Sequence, residues 1–122
     1  MCLYTKWKKP KKAEKNIIVY KVLYKNGTSP YRGFCYNLKS TYETNMQIVE
    51  SLFLNGLCVH EGFHAFLSKK ISRKSDLFKY RIGTRIFKCI IPKDSEYYIS
   101  SDNTEIVSDS IIIKRRLLFN RF

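Results

Sequence analysis

Three stretches rich in β-branched and aromatic residues most constrain what this chain can fold into. They are Ile17–Tyr24 (IIVYKVLY), Arg85–Ile91 (RIFKCII) and Ser110–Phe119 (SIIIKRRLLF). Such stretches are typical of β-strands, and the turn residues KNGTSP and Pro92 follow the first two. Shorter stretches of the same kind, YYI and EIVS, precede the third. The pattern predicts a single α+β domain with a largely antiparallel sheet of about five or six strands and one or two short helices.

The segments between these strands are less regular. Tyr31–Leu38 (YRGFCYNL) favours one more short strand. Within 41–56 the apolar residues are spaced for one helical face, which indicates a helix as one option for this segment. These apolar residues are Met46, Val49, Leu52 and Phe53. Ser68 is predicted to cap a short basic helix over KKISRKSDLFKY.

Positive charge dominates the composition. The chain has 23 Lys and Arg against 10 Asp and Glu, a formal net charge of +13. Such an excess favours an anionic partner, for which nucleic acid, an acidic protein and an anionic membrane surface all qualify. The alternative is a solvated surface without a dedicated partner.

The basic residues concentrate in a leader (1–16), in the helix after Ser68 and in the last strand, with the folded domain expected over 17–122. Lysines dense enough to lie on phosphates and aromatics able to stack on bases suit nucleic acid. The candidate binding residues are Trp7, Lys8, Lys9, Lys11, Lys12, Lys69, Lys70, Arg73, Lys74, Lys114, Arg115 and Arg116, with Tyr80 and Phe119 as further aromatics.

The location of the protein is inferred from what the sequence lacks. No run of about 18 apolar residues predicts a spanning helix, and no apolar segment follows the basic N-terminus as in a secretory signal. Cys2, Cys35, Cys58 and Cys89 form no C-x-x-C pair, which argues against a zinc ribbon. The last three are predicted to be buried thiols in a reducing cytosol, although one disulfide is compatible with the sequence. We therefore expect a cytoplasmic protein.

The stretch His60–His64 (HEGFH) fits the zinc-hydrolase pattern H-E-x-x-H. There His60 and His64 would bind the metal from consecutive turns of one helix, and Glu61 would act as the base. Gly62 would weaken that helix by about 1 kcal/mol. The same stretch also suits a strand with Phe63 and Phe66 buried and His64 hydrogen-bonded inside the fold, and this interpretation is favoured.

The order of several motifs over nearly the whole chain resembles a family of small uncharacterised proteins of gut bacteria and their phages. These motifs are AEKNIIVYKVL, SPYRGFCYNLKSTYETN, EGFHAFLS, KCIIPKDSEYY and EIVSDSIIIK. In that family the box is centred on GFH, which implies that His60 precedes it by coincidence. Asp94 stands where the family usually has glycine. The resemblance implies no established activity, but it suits a phage or mobile-element accessory protein that acts on a host component in the host cytosol.

A more distant likeness is to ADP-ribosyltransferase-like split-sheet proteins, through Tyr20-Lys21 on the first strand, the central GF box and the late E-I pair. Those enzymes hold NAD with an early Arg or His, a central Ser-Thr-Ser strand and a late catalytic Glu. The resemblance implies Lys21, Ser68 and Glu105 as the corresponding residues and NAD as the cofactor. Lys21 departs from the usual Arg or His, and Ser68 is the only hydroxyl of the central box.

Three classes of function are compatible with these observations. The sequence favours a non-catalytic basic protein that binds nucleic acid or an acidic protein, with no cofactor and no metal. An NAD-using transferase with Lys21, Ser68 and Glu105 is the first alternative. A zinc hydrolase with His60, Glu61 and His64 is the second.

Overall fold

A computed structural model describes residues 3–30, 33–51 and 56–117. This part of the chain contains eleven strands and two short helices. The strands are β1 (Leu3–Thr5), β2 (Lys11–Lys12), β3 (Ile17–Tyr24), β4 (Thr41–Glu43), β5 (Gln47–Ser51), β6 (Gly56–Glu61), β7 (Phe63–Phe66), β8 (Thr84–Ile91), β9 (Glu96–Ile99), β10 (Glu105–Ser108) and β11 (Ser110–Arg116). The helices are α1 (Lys69–Lys74) and α2 (Asp76–Tyr80).

The strands form two sheets in which the pairs are antiparallel. The small sheet has the order β1-β6-β5, and the large sheet has the order β2-β9-β10-β7-β3-β8-β11-β4. The longest ladder joins β3 to β8 over eight residue pairs, from Ile17↔Ile91 to Tyr24↔Thr84. The antiparallel sheet and the short helices confirm the prediction, but the fold is mostly β and has more strands than expected.

The large sheet is strongly curled, because one residue joins two strands that are far apart in its order. β7, β3 and β8 separate β10 from β11, which would place them about 19 Å apart in a flat sheet. Only Asp109 lies between them in the chain. Its N–H donates to the Glu96 carbonyl at 3.1 Å, and its carbonyl accepts from the Thr44 N–H at 2.8 Å. Asp109 therefore draws the β9 and β4 sides together, and the sheet wraps around one face.

The main core fills this wrapped, inner face. Alternation along β3 places Val19 and Leu23 in the main core, while Val22 packs in a separate cluster on the outer face. The buried residues of the main core are Val19, Leu23, Ala65, Phe87, Cys89, Ile91, Ile106, Ile111 and Ile113. A second cluster, formed by Leu3, Val59, Tyr98 and Val107, packs the small sheet against the large one.

The two helices cover part of the outer face. The Ser68 hydroxyl accepts from the Ile71 N–H at 3.1 Å and caps α1, which confirms the predicted cap. Ser75 then takes an extended conformation and caps α2 through the Phe78 N–H at 3.3 Å, so the predicted single helix is two. Phe78 packs on Val22 of β3. Neither helix, nor any other within the described residues, is long and apolar enough to cross a membrane.

Two segments differ from the prediction. Within 33–38 the structure has only an isolated bridge, Thr28↔Cys35, so the strand predicted for Tyr31–Leu38 is wrong there, and Tyr31 and Arg32 lie outside the described residues. The segment 41–56 holds β4, β5 and the first residue of β6 rather than a helix, while 52–55 lie outside the described residues. Pairing with β11 and β6 outweighs the local helical spacing in 41–51.

The cysteines also depart from the prediction of three buried thiols. Cys89 is a buried free thiol, as predicted. Cys35 is free but exposed, because the segment around it forms no regular strand. Cys58 is buried and disulfide-bonded, so it is not the free thiol that was expected.

Candidate functional site

One pocket collects the titratable side chains that the sequence singled out for the two enzymatic alternatives, namely Lys21, His60, Glu61, His64 and Glu105. Its volume is about 360 Å³. That volume is at the lower end of the range for small-molecule sites, about 300–1,000 Å³. The titratable and charged residues that line it are Lys21, Glu43, His60, Glu61, His64 and Glu105, and the aromatic ones include Phe34, Tyr36, Tyr42, Phe63 and Phe66.

The pocket lies at a split between β3 and β7. These strands pair at one position, Tyr20↔Phe66, within the described ladders, although β7 is four residues long. Next to that pair, the Lys21 ammonium donates a hydrogen bond to the His64 carbonyl at 2.6 Å. A side chain thus supplies the donor that a neighbouring strand would normally supply. The gap leaves room for a ligand between the two strands.

Lys21 is a cation on the inner, core-forming face of the sheet. Burial lowers its pKa below the ordinary value, and the neighbouring Cys89 opposes that shift. The same burial raises the pKa of the Cys89 thiol to about 12, with Lys21 acting in the opposite direction. The Lys21 ammonium also lies 5.4 Å from the centre of the Tyr36 ring. A ligand anion entering the pocket would therefore meet a desolvated cation beside an aromatic wall.

The aromatic wall consists of rings packed edge to face. The ring centres of Phe34 and Tyr36 are 4.7 Å apart, those of Tyr36 and Tyr42 are 5.0 Å apart, and those of Tyr36 and Phe63 are 6.3 Å apart. The Tyr42 hydroxyl accepts from the Asn37 N–H at 2.6 Å, which ties the wall to the loop before β4. Phe34 is 48% exposed and stands at the mouth. The wall offers flat apolar surface to an aromatic ligand.

HEGFH turns a corner between the two sheets and does not form a helix. His60 and Glu61 end β6, and Phe63 begins β7. Gly62 between them has φ +144°, and a Cβ there would lie 2.5 Å from Val107 Cγ2, so only glycine fits. The strand interpretation is confirmed for His64, and His60 is exposed.

The helical zinc site is therefore contradicted, because the two histidines do not follow one another on consecutive turns. Within the described part of the chain, no group of three or more His, Cys, Asp and Glu residues could hold a metal ion. Phe63 packs on the main core and Phe66 on the outer cluster, but both are only partly buried, so the predicted full burial is wrong. A hydrogen bond of the His64 ring stays a prediction.

Two of the three residues implied for NAD binding meet in the pocket. Lys21 and Glu105 belong to β3 and β10, which both flank β7, and both line the pocket. Burial raises the Glu105 pKa, and the carboxylate of Asp102 adds to that shift. Asp102 itself has a lowered pKa because the Ser100 and Thr104 hydroxyls donate to it at 2.6 and 2.7 Å. Ser68 is absent from the described lining and its hydroxyl caps α1, so the structure does not bring it together with Lys21 and Glu105.

The predicted basic residues fall in three separate places. The leader contributes β1 to the small sheet and β2 to the large sheet. Its lysines Lys8, Lys9, Lys11 and Lys12 are exposed. Trp7 packs within the fold, with its ring centre 5.7 Å from that of Tyr97 and the Lys11 ammonium 4.5 Å away, so its predicted freedom to stack on bases is wrong. On α1, Lys69, Lys70 and Lys74 are exposed and Arg73 is partly exposed, while Lys114, Arg115 and Arg116 are exposed on β11. Tyr80 is 75% exposed, and Phe119 lies outside the described residues.

The sequence did not single out the aromatic wall as a site. Phe34, Tyr36 and Tyr42 lie in a segment that was interpreted as strand and helix, where aromatic residues are expected to serve the core. A signal was present in their density, since YRGFCYNLKSTYET places aromatics close to Gly, Asn and Ser, residues typical of loops. Loop aromatics that leave the core are common in binding sites.

Comparison with known proteins found no matching family model, no matching curated protein and no matching solved structure. The resemblance to the gut-bacterial and phage family and the likeness to ADP-ribosyltransferase-like proteins therefore stay predictions.

Proposed function

We propose that this protein binds a nucleotide of the NAD type in the pocket between β3 and β7. The observation that carries the proposal is that Lys21 and Glu105, on the two strands flanking β7, line one pocket at a split in the sheet. A split sheet with these two residues is what the likeness to ADP-ribosyltransferase-like proteins implies.

The lining supplies a partner for each part of such a ligand. The rings of Phe34, Tyr36 and Tyr42 present edges and faces on which a base or a nicotinamide ring can pack. The Lys21 ammonium has three N–H donors, and the His64 carbonyl takes one, which leaves donors for a phosphate. The Glu61 and Glu105 carboxylates can accept from ribose hydroxyls. The pocket volume suits one nucleoside unit, so the rest of a dinucleotide would extend past Phe34.

A second candidate function, cleavage of the bound nucleotide, is favoured by the position of Glu105. In that reaction the bond between ribose C1′ and the nicotinamide nitrogen breaks, and the electron pair leaves with nicotinamide. A carboxylate beside C1′ stabilises the positive charge that develops there. Water then adds to C1′ and releases a proton, which yields ADP-ribose. Glu105 must be ionised for this role, so its raised pKa predicts activity that falls with acidification at a pH above 4.5, the ordinary glutamate pKa.

The test measures NAD binding by calorimetry and nicotinamide release by chromatography on the same samples. Lys21→Met is expected to weaken binding at least tenfold, because the only described lysine of the pocket is lost. Glu105→Gln is expected to keep binding and to lower nicotinamide release about 100-fold or more.

The matched control is Glu96→Gln, which makes the same charge change at an exposed residue of β9 outside the described lining. Binding that is undetectable at millimolar NAD, or that is equally weakened by Glu96→Gln, overturns the proposed function. Binding without nicotinamide release overturns the cleavage and leaves the binding site standing.

A further inference from the structure

We infer that the outer face of β3, β8 and β11, together with α1, is a binding surface for single-stranded nucleic acid. Its central residues, Tyr20, Lys88 and Arg115, are absent from the described lining of the pocket, which reaches the outer cluster through Val22, Phe66 and Leu77. Lys21 faces the pocket, and its neighbour Tyr20 packs with the outer cluster. The inference does not depend on the proposed nucleotide site.

Charge is segregated in this molecule. None of the 10 acidic residues of the chain lies in β3, β8, β11 or α1. The acidic residues lie elsewhere, and many of them surround β2, β9 and β10, namely Glu14, Asp94, Glu96, Asp102, Glu105 and Asp109. The strands β3, β8 and β11 therefore carry only positive charges and are complementary to a polyanion, whereas the part of the sheet around β2, β9 and β10 carries both signs, with Lys11 and Lys12 in β2.

The registers place the cations of the outer face in one row. Tyr20 pairs with Lys88, and Lys88 pairs with Arg115, so the three residues stand side by side across three strands. A register shift between Ile113 and Arg115 inserts Lys114 into β11. Two cations, Lys114 and Arg115, thus oppose the single Lys88, as at a β-bulge. Like charges directly opposite one another destabilise a sheet, and no acidic residue of these strands offsets them.

The rows on either side show how a strand of nucleic acid would lie. On one side Val22 and Ile86 are covered by Phe78 of α2, and α1 packs against β3 and β8 with Lys69, Lys70 and Lys74 exposed. On the other side lies the row Ile18–Ile90–Ile112, which is not part of the helix-covered cluster among the described residues, and Ile18 is 50% exposed. Phosphates would lie along the cations, while bases would contact Tyr20 and the isoleucine row.

Single strands fit this surface better than other polyanions, because the row of cations includes the aromatic ring of Tyr20 and borders an apolar row. Base stacking on such rings is tolerant of sequence and adds to the phosphate contacts. An acidic protein would use the cations without needing the ring. A duplex would bury the base faces that the apolar row could contact.

The test measures fluorescence anisotropy of labelled oligothymidylate of about 20 nucleotides at several salt concentrations. The double variant Lys88→Gln/Arg115→Gln is expected to weaken binding at least tenfold at low salt. It should also reduce the slope of log affinity against log salt by about 0.7 for each lost phosphate contact. The matched control is Lys25→Gln/Lys93→Gln, which removes the same charge from exposed residues outside this surface.

A variant of Tyr20 and several other polyanions distinguish nucleic acid from the other possible partners. Tyr20→Leu is expected to weaken oligothymidylate binding about tenfold and to leave binding of inorganic polyphosphate unchanged. Circular dichroism of each variant checks that the fold is kept. The inference is overturned if the control pair weakens binding as much as the test pair. It is also overturned if polyglutamate or anionic vesicles bind more tightly than the oligonucleotide, or if no binding is detected at low salt.

Discussion

Lys21 and Lys88 are cations on neighbouring strands of one sheet, but they lie on opposite faces of it. Lys21 faces inward, donates to the His64 carbonyl at 2.6 Å and has a pKa lowered by burial. Lys88 faces outward, between Tyr20 and Arg115. A cation inside the fold loses hydration, so a chain keeps one only where it serves a specific purpose. A cation outside loses little hydration and acts together with its neighbours.

The two lysines belong to different kinds of binding region: Lys21 lines a pocket, and Lys88 lies on an open surface. The pocket at the split offers one lysine, three carboxylates and an aromatic wall, which are suited to a small ligand with several parts. The outer side offers a row of cations beside an apolar row, which is suited to a long polyanion. The net charge of +13 by itself predicts the second and gives no indication of the first.

The largest expected effect tests the inner and outer faces with neighbouring isoleucines of β11. Ile113 is fully buried in the main core, whereas Ile112 is partly exposed on the outer face. Ile113→Ala should lower the free energy of unfolding by about 2–5 kcal/mol, because it leaves a cavity. Ile112→Ala should lower it by less than about 1 kcal/mol. Urea unfolding of the two variants measures both values, and equal losses would contradict the assignment of the faces.

A smaller effect tests the corner between the sheets that shapes the pocket. Gly62→Ala combines a strained φ with a Cβ 2.5 Å from Val107 Cγ2. We expect it to lower the free energy of unfolding by about 2–4 kcal/mol. Gly33→Ala is the control, since Gly33 also has a positive φ, +65°, but an added Cβ would meet no atom within 4 Å. Its cost should be about 1 kcal/mol, and thermal unfolding showing the same loss for both variants would argue against the tight corner.

The smallest expected effect compares the two lysines directly. Below its lowered pKa, folded Lys21 holds a proton at a cost in stability, and that cost disappears as the pH rises towards the ordinary lysine pKa of 10.5. The stability of Lys21→Met relative to the native protein should therefore decline as the pH rises from the lowered pKa of folded Lys21 to about 10.5. Lys88→Met should differ from the native protein by less than about 0.5 kcal/mol. Denaturant titrations at several pH values measure the trend, and a flat difference for Lys21→Met would place its ammonium in water.

The local pattern of residue types was sufficient to predict β3 and β8, each of which has a paired strand on either side. Ile17–Tyr24 and Arg85–Ile91 were predicted as strands, and they pair with one another over their length, because β-branched residues suit a sheet that is buried on one face. The sequence left the segment 41–51 open, with a helix as one option, because its helical spacing competes with pairing to β11 and β6. The pairing of β4 with β11 depends on residues far away in the chain and leaves no local signal, whereas β6 follows β5 directly along the chain.

The site was only partly predictable for the same reason. Lys21 and Glu105 were singled out through a likeness to other proteins, and they line one pocket because β7 lies between their strands. Ser68 was assigned to the site from the central box, but its hydroxyl completes the first turn of α1. The row Tyr20–Lys88–Arg115 was not predicted, because it depends on a register shift in β11 that places Arg115 opposite Lys88.

The most direct test of two separate sites on opposite faces of one sheet is mapping of backbone amide shifts by NMR with two titrants. We expect NAD to shift residues of the split, such as Lys21, His64 and Glu105, and to leave Lys88 and Arg115 unchanged. Oligothymidylate should do the reverse. Shifts by both titrants at the same residues, or no shift at the split with NAD, would contradict this account.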